Sequence, residues 1–195
     1  MIKILALSGS SRRGSLNQKL LDQAALGARA AGAEVTSIRL ADFELPIYDA
    51  ASEAEHGLPK GAQTLNGLLA VHQGLLIATP EHNGGYTALL KNALDWMSRP
   101  NGFPSGKVAA LISASPGPLG GVKSQLSLQI VLSKLGVHVH SRVVRARRRP
   151  SVLRRRGRFE GCQCRKGGSR GRRSTRGDDR QNWSRRPGQP RRVGP

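Results

Sequence analysis

The residues with the clearest chemical potential stand directly after the first apolar run of the chain. Residues 9–17 read GSSRRGSLN, and Leu and Ala then recur at three- and four-residue spacing, as in an amphipathic helix. Hydroxyls, a guanidinium and the N–H groups of a helix N-terminus together favour phosphate binding. The segment lacks both G-x-G-x-x-G and G-x-x-x-x-G-K-[ST], the fingerprints of dinucleotide folds and nucleotide-hydrolysing loops. The alternative is a Ser-capped helix with solvated arginines.

Two further polar loops follow later apolar runs. Residues 80–86 read PEHNGGY after the run 74–79, and residues 113–121 read SASPGPLGG after the run 107–113. Glycine lets a backbone approach a ligand closely, and the two prolines stiffen the third loop. A simple strand-to-helix turn would also explain the Gly and Pro of the third loop, but not why this loop too is suited to a ligand.

The remaining pattern predicts the elements that must position these loops. Strands are expected at 2–7, 34–40, 74–79, 107–113 and 137–143, and helices at 15–31, 60–72, 87–98 and 119–135. Residues 43–58 show little periodicity and are predicted to be a loop. Strands that alternate with helices of this length indicate parallel β-α-β units in an α/β, doubly wound sheet. Ligands of such sheets bind beyond the carboxyl ends of the strands, where the three loops stand.

The second loop leads into a further motif, LKNALDW at residues 90–96. The sequence here resembles the NADPH-dependent FMN reductase family. Its members show G-S-x-R-x-x-S-x-N after strand 1, and P-E-Y-N followed by L-K-N-A-[IL]-D-W after strand 3. Both patterns are present in order, with His82 at the usual tyrosine position. The resemblance covers residues 1–144 and implies a flavodoxin-like parallel sheet of five strands in the order 2-1-3-4-5.

The resemblance also implies a function. An FMN-dependent oxidoreductase would pass electrons from NADPH or NADH through bound FMN to a small acceptor, namely a quinone, an azo compound, chromate or free flavin. Because the chemistry occurs on the flavin, no catalytic acid or base is required. A homodimer or homotetramer is implied, with a neighbouring subunit helping to close the site. The implied cofactor-binding residues are Ser10, Ser11, Arg12, Ser15, Leu16, Asn17, Pro80, Glu81, His82, Asn83, Gly84, Ser113, Ser115 and Gly117.

Several residues within the motifs have alternative interpretations. The His82 imidazole could cover the flavin ring, and its titration near neutral pH would then make flavin affinity or potential pH-dependent. Alternatively, its side chain faces solvent and only its backbone matters. Lys91 and Asp95 are four residues apart on one helix and are predicted to form an ion pair without a catalytic role. Trp96 is predicted to be a core or subunit-contact residue rather than a flavin-stacking one.

The net charge of +20 is concentrated at the C-terminal end. Residues 1–144 hold 13 Lys and Arg against 9 Asp and Glu, whereas residues 145–195 hold 19 against 3. Arg, Gly, Pro and Ser fill 34 of these last 51 positions, a composition that predicts a disordered basic segment after one ordinary domain. Three origins are considered: a frameshift near residue 144, a basic arm for nucleic acid or anionic surfaces, and an unrecognised extension.

Other functional classes receive less support. Cys162 and Cys164 have the wrong spacing for a structural zinc site, and His138 and His140 lack neighbouring ligands, so no metal is expected. No apolar run is long enough to cross a membrane, and the cysteine usage favours a cytoplasmic protein. Two rival functions remain. One is a flavodoxin-type electron carrier, and the other is a protein that binds nucleic acid through its basic segment.

Overall fold

The computed structural model describes residues 1–99, 102–117 and 119–147. This part of the chain contains five strands and five α-helices, with one helix between successive strands except for two between the second and the third. The strands are β1 (Lys3–Ser8), β2 (Glu34–Arg39), β3 (Gly74–Ala78), β4 (Val108–Ser115) and β5 (His138–Arg147). The helices are α1 (Leu16–Ala30), α2 (Ala50–His56), α3 (Lys60–Val71), α4 (Ala88–Met97) and α5 (Val122–Lys134). None of the described helices is long and apolar enough to span a membrane.

All five strands form one parallel sheet in the order β2-β1-β3-β4-β5, which confirms the predicted topology. The carboxyl ends of the three central strands are in register, because Ser8 pairs with Ala78 and Ala78 pairs with Ile112. The chain leaves β1 toward β2 and then returns to β3 on the opposite side. The loops after β1 and β3 therefore separate at this edge, which leaves room for a ligand.

The two faces of the sheet are covered differently. Leu5 and Leu7 of β1 belong to an apolar cluster that includes residues of α3, α4 and α5. Ala6, which points to the opposite face, belongs to a second cluster with Leu20, Leu21 and other residues of α1. Both faces are therefore buried, as the continuous apolar strands predicted. Among the described helices, α1 is the one that packs on the second face.

One predicted loop contains a helix, so the prediction for residues 43–58 was wrong in part. Helix α2 has no buried residues, and apolar periodicity therefore could not reveal it. Its ends are nevertheless well capped. The Asp49 Oδ1 accepts a hydrogen bond of 2.8 Å from the Ser52 N–H, and Gly57 ends the helix with φ at 71°.

The other four predicted helices and all five strands are present, with shifted boundaries. Strand β4 continues to Ser115 and helix α5 begins at Val122, so the loop between them lies a few residues later in the chain than predicted. Strand β5 continues to Arg147, which places the predicted domain boundary at residue 144 inside a strand. The predictions for the basic segment beyond this strand, including those for Cys162 and Cys164, lie outside the described residues.

Candidate functional site

A cavity of about 500 Å³ lies at the carboxyl ends of β1, β3 and β4. Its position coincides with the point at which the strand order reverses. All three loops that the sequence predicted contribute to its lining, as does the start of α4. The lining residues are Gly9, Ser10, Ser11, Arg12, Ser15, Leu16, Asn17, Pro80, Glu81, His82, Thr87, Ala88, Leu89, Ala114, Ser115 and Pro116.

The first loop presents the N-terminus of α1 to this cavity. Ser15 is the N-cap, and its Oγ accepts a hydrogen bond of 3.2 Å from the Asn17 N–H. The first turn of α1 contains no acidic residue that could compete with an anion for the positive end of the helix dipole. Ser10 is buried beside the cavity, whereas Arg12 is exposed at its rim. The Ser cap that the sequence offered as the alternative is present, and phosphate binding by the same segment stays a prediction.

Asn17 connects the first loop to the third. Its Oδ1 accepts a hydrogen bond of 2.8 Å from the Ala114 N–H, and its Nδ2 donates one of 3.0 Å to the Ala114 carbonyl. The side chain is only 3% exposed. The amide therefore pairs with β4 much as a neighbouring strand would.

Thr87 was absent from the predicted site, yet it lines the cavity. Its hydroxyl donates a hydrogen bond of 2.7 Å to the Gly9 carbonyl and accepts one of 3.3 Å from the Leu90 N–H as the N-cap of α4. A Cβ added to Gly9 would lie 3.0 Å from the Thr79 Oγ1 and 3.1 Å from the Thr87 Oγ1. The N-cap pattern before residue 88 was the available sequence signal for this residue.

The second loop forms a tight turn around two residues with positive φ. The His82 N–H donates to the Gly85 carbonyl and the Gly85 N–H donates to the His82 carbonyl, both at 2.9 Å. Asn83 and Gly84 have φ angles of 51° and 81°, as in a type I′ turn. Since the turn uses both backbone groups of His82, its ring is the part that remains for a ligand. Burial raises the pKa of Tyr86, so this neighbouring phenol stays neutral near physiological pH.

The Glu81 side chain connects the second loop to helix α5, which follows the third loop. Its Oε2 accepts a hydrogen bond of 3.0 Å from the Lys123 N–H in the first turn of α5. The N-cap of that helix is Gly121, which has no side chain and a φ of 86°. Glu81 therefore supplies, from a distant part of the chain, the acceptor that an N-cap side chain usually provides.

Ten of the fourteen predicted cofactor-binding residues line the cavity. Asn83, Gly84, Ser113 and Gly117 do not belong to the lining. The Ser113 hydroxyl is buried beneath the third loop, where it donates 2.7 Å to the Gly120 carbonyl and accepts from the Gln125 side chain. The Gly117 N–H donates 3.1 Å to the Ser115 Oγ. These two residues shape the third loop from within.

Three residues of the LKNALDW helix for which no ligand contact was predicted make contacts within the protein. Lys91 and Asp95 form the predicted ion pair, at 2.6 Å on the surface. Trp96 is 1% exposed and packs edge to face on Tyr48, with ring centroids 5.1 Å apart. His138 and His140 are exposed on β5.

A family model for NADPH-dependent FMN reductases matches residues 2–148. The chain belongs to the NADPH-dependent FMN reductase family. Membership confirms the resemblance that the two motifs suggested, and it identifies the chain as an oxidoreductase of a family that uses FMN and a nicotinamide.

Similar proteins agree with this assignment. An NAD(P)H-dependent FMN reductase of Pseudomonas aeruginosa is 41% identical over 139 residues, which is 70% of this chain and 72% of that protein. A quinone reductase of Escherichia coli is 33% identical, with coverages of 67% and 69%. The solved structure of a flavoenzyme NAD(P)H:acceptor oxidoreductase from Paracoccus denitrificans matches with a TM-score of 0.64 at 31% identity, over 72% of this chain and 76% of that one.

The flavodoxin-like fold of this NADPH-dependent FMN reductase is also shared with a flavodoxin. A mutant flavodoxin from Pseudomonas aeruginosa matches with a TM-score of 0.51 at 15% identity, over 75% of this chain and 84% of that one. This likeness concerns the fold alone. It agrees with the parallel sheet and its strand order.

Proposed function

We propose that the cavity binds FMN and that this reductase passes electrons from NADPH or NADH through FMN to a small acceptor. The observation that carries the proposal is the convergence of two unlike surfaces in one cavity. A helix N-terminus with hydroxyls and a guanidinium lies on one side, and a slot with mostly apolar walls lies on the other. A phosphorylated isoalloxazine has the matching pair of parts.

The phosphate would bind at the N-terminus of α1. Ser10, Ser11 and Ser15 offer hydroxyls there, and Arg12 offers a guanidinium that can form paired hydrogen bonds with phosphate oxygens. Backbone N–H groups of the first helical turn, beginning at Leu16, would add to these donors. An amide NH2 has two hydrogens, so Asn17 can bond to Ala114 and still offer the second hydrogen to the phosphate.

The ring system would lie between the second and third loops. Pro80, Leu89 and Pro116 supply apolar surface to this part of the cavity, and Ser115 supplies a hydroxyl. His82 would cover the ring with its imidazole, because its backbone groups are bonded within the turn. Glu81 lines the slot while its carboxylate is bonded to α5. Asn83, Gly84, Ser113 and Gly117 would support the loops without lining the slot.

Bound FMN would supply the redox chemistry, by accepting a hydride and passing on two electrons. The chain has to hold the cofactor, orient it and leave one ring face open to donor and acceptor in turn. We infer that the acceptor is a quinone, an azo compound, chromate or free flavin. Similar proteins named quinone reductase and 2-hydroxy-1,4-benzoquinone reductase support quinones first among these. Assembly as a homodimer or homotetramer and a cytoplasmic location stay predictions.

The proposal is tested by titrating the full chain with FMN and then measuring NADPH oxidation with a quinone. Arg12→Leu should weaken FMN binding by about tenfold or more, because a charge-assisted hydrogen bond contributes about 1.5–3 kcal/mol. Arg13→Leu is the matched control, since Arg13 is exposed and does not line the cavity. Equal effects of the two changes, or no FMN binding by the unaltered chain, would contradict the proposal. FMN binding without NADPH oxidation would instead indicate an electron carrier.

A further inference from the structure

Side chains connect the three loops of the cavity pairwise, so that the connections form a closed triangle. We propose that three of these side chains are positioning residues, which hold the cavity in its binding shape before any cofactor arrives. This proposal rests on the proposed function in using FMN as its probe. The three contacts are Asn17 with Ala114, Thr87 with Gly9, and Glu81 with Lys123.

The Asn17 contact fixes the first loop to the third. Two hydrogen bonds join one amide to one residue of β4, so both the distance and the rotation of the contact are set. The contact is buried, and the two partners are 97 residues apart in the chain. Its loss would leave the polar groups of Ala114 buried beside the cavity without these partners, so the cost is large.

The Thr87 contact fixes the first loop to the helix that follows the second. Its donor bond to the Gly9 carbonyl is short, at 2.7 Å, and buried. The same hydroxyl caps α4 through the Leu90 N–H. The position of the first loop is therefore set by the helix that carries the LKNALDW motif.

The Glu81 contact fixes the second loop to the start of α5. Gly121 cannot provide this cap itself, because a Cβ there would lie 2.7 Å from the Ser113 Oγ and 2.9 Å from its Cβ. The positive φ of Gly121 opposes a side chain for a second reason. The cap must therefore come from another loop. This bond is more exposed than the other two, so it contributes less.

A cavity held in shape binds its ligand without first reordering its loops. When such a contact is removed, a smaller fraction of molecules has the binding-competent shape, and the apparent affinity falls by that fraction. The loss should be seen mainly in the association rate, since bound FMN would itself hold the loops together. A residue that only contacts the ligand behaves differently, because its loss accelerates dissociation.

The test measures FMN association and dissociation by stopped-flow fluorescence on the full chain freed of cofactor. Thr87→Val should slow association by about tenfold and Glu81→Met by about threefold, with dissociation unchanged within error. Asn17→Leu should also slow association by about tenfold, but it should accelerate dissociation as well, because Asn17 is in addition a proposed phosphate donor. Thr87→Ser and Glu81→Gln keep the required hydroxyl and acceptor oxygen, and they should restore the association rate. Ser10→Ala, which removes a phosphate ligand, should accelerate dissociation instead.

Faster dissociation in the Asn17, Thr87 and Glu81 variants with unchanged association would overturn the proposal, as would failure of the conservative variants to restore the rate. Hydrogen exchange on the cofactor-free chain gives a readout that does not depend on FMN. The Ala114 amide should exchange faster in Asn17→Leu, and the Lys123 amide faster in Glu81→Met. Unchanged exchange at both amides would refute the positioning roles even if FMN binds. If FMN does not bind but exchange changes as expected, the proposed function alone fails.

Discussion

The indole Nε1 of Trp96 donates a hydrogen bond of 2.8 Å to the carbonyl of Pro46, a residue 50 positions earlier in the chain. Asn92, one turn before it on α4, donates to the same carbonyl at 2.9 Å and accepts from the Tyr48 N–H at 2.8 Å. These bonds fix the segment after β2 onto α4. The Asn and Trp of LKNALDW are therefore explained by this attachment.

Trp96→Phe should lower the free energy of unfolding by about 1–3 kcal/mol, because it removes this buried hydrogen bond and some packing volume. Urea denaturation of the full chain measures the effect. Lys91→Ala on the same helix is the control, and should change stability by less than about 0.5 kcal/mol, since its ion pair with Asp95 is exposed. Similar losses in both variants would mean that the attachment contributes little.

Gly9→Ala should destabilise the protein and weaken FMN binding. The added methyl would lie 3.0–3.2 Å from Thr79, Thr87 and Leu90, so the first loop must shift away from α4. Gly27→Ala is a matched control on the exposed side of α1, where a Cβ meets nothing within 4 Å. That change should raise stability by up to about 1 kcal/mol through helix propensity. Thermal melts with and without FMN separate the two results, and an unaffected Gly9→Ala protein would contradict the close approach.

Gly84→Ala should cost about 1–2 kcal/mol, because Gly84 has a φ of 81° in the turn that orients His82. Space is not the limit, since the nearest atom to the added Cβ is the Lys123 Cδ at 3.7 Å. Asn83→Gly, the neighbouring change, relieves a positive φ and should be neutral or slightly stabilising. Chemical denaturation of both variants distinguishes backbone strain from a steric clash.

Lys107 should make stability depend on pH. It is 7% exposed, its Nζ donates 2.5 Å to the His72 carbonyl, and burial lowers its pKa below the ordinary value of 10.5. Between the two pKa values the unfolded chain holds a proton that the folded protein has released. Stability therefore rises with pH through this window, levels off above 10.5, and is lowest below the folded pKa.

The measurement compares this chain with Lys107→Met by urea denaturation from neutral pH upward. The lost bond to the His72 carbonyl shifts the variant by a constant amount, so only the slope of the difference matters. We expect the difference to move in favour of lysine as the pH approaches 10.5. Parallel pH profiles for the two proteins would disprove the shifted pKa.

The sequence predicted what depends on local pattern. Apolar runs located the five strands, and the GSSRRGSLN segment located the helix N-terminus at the cavity. Helix α2 was not predicted, because it is stabilised by its caps at Asp49 and Gly57 and has no buried residue. The hydrogen bonds between Asn17 and Ala114 were not predicted, because they join residues that only the fold brings together. Thr87 could be recognised as an N-cap from the sequence, but its contact with Gly9 likewise joins residues that only the fold brings together.

Helix α1 both begins at the proposed phosphate site and, among the described helices, alone shields one side of the sheet. A ligand that binds at Ser15 binds only when α1 is in place. Its binding free energy therefore stabilises the alanine-rich apolar cluster that α1 covers. Among the residues that the structure describes, limited proteolysis should cut the apoprotein first around α1, and saturating FMN should suppress that cleavage before any other in this part of the chain. The supply of FMN would then determine how long the protein resists proteolysis, as well as whether it is active.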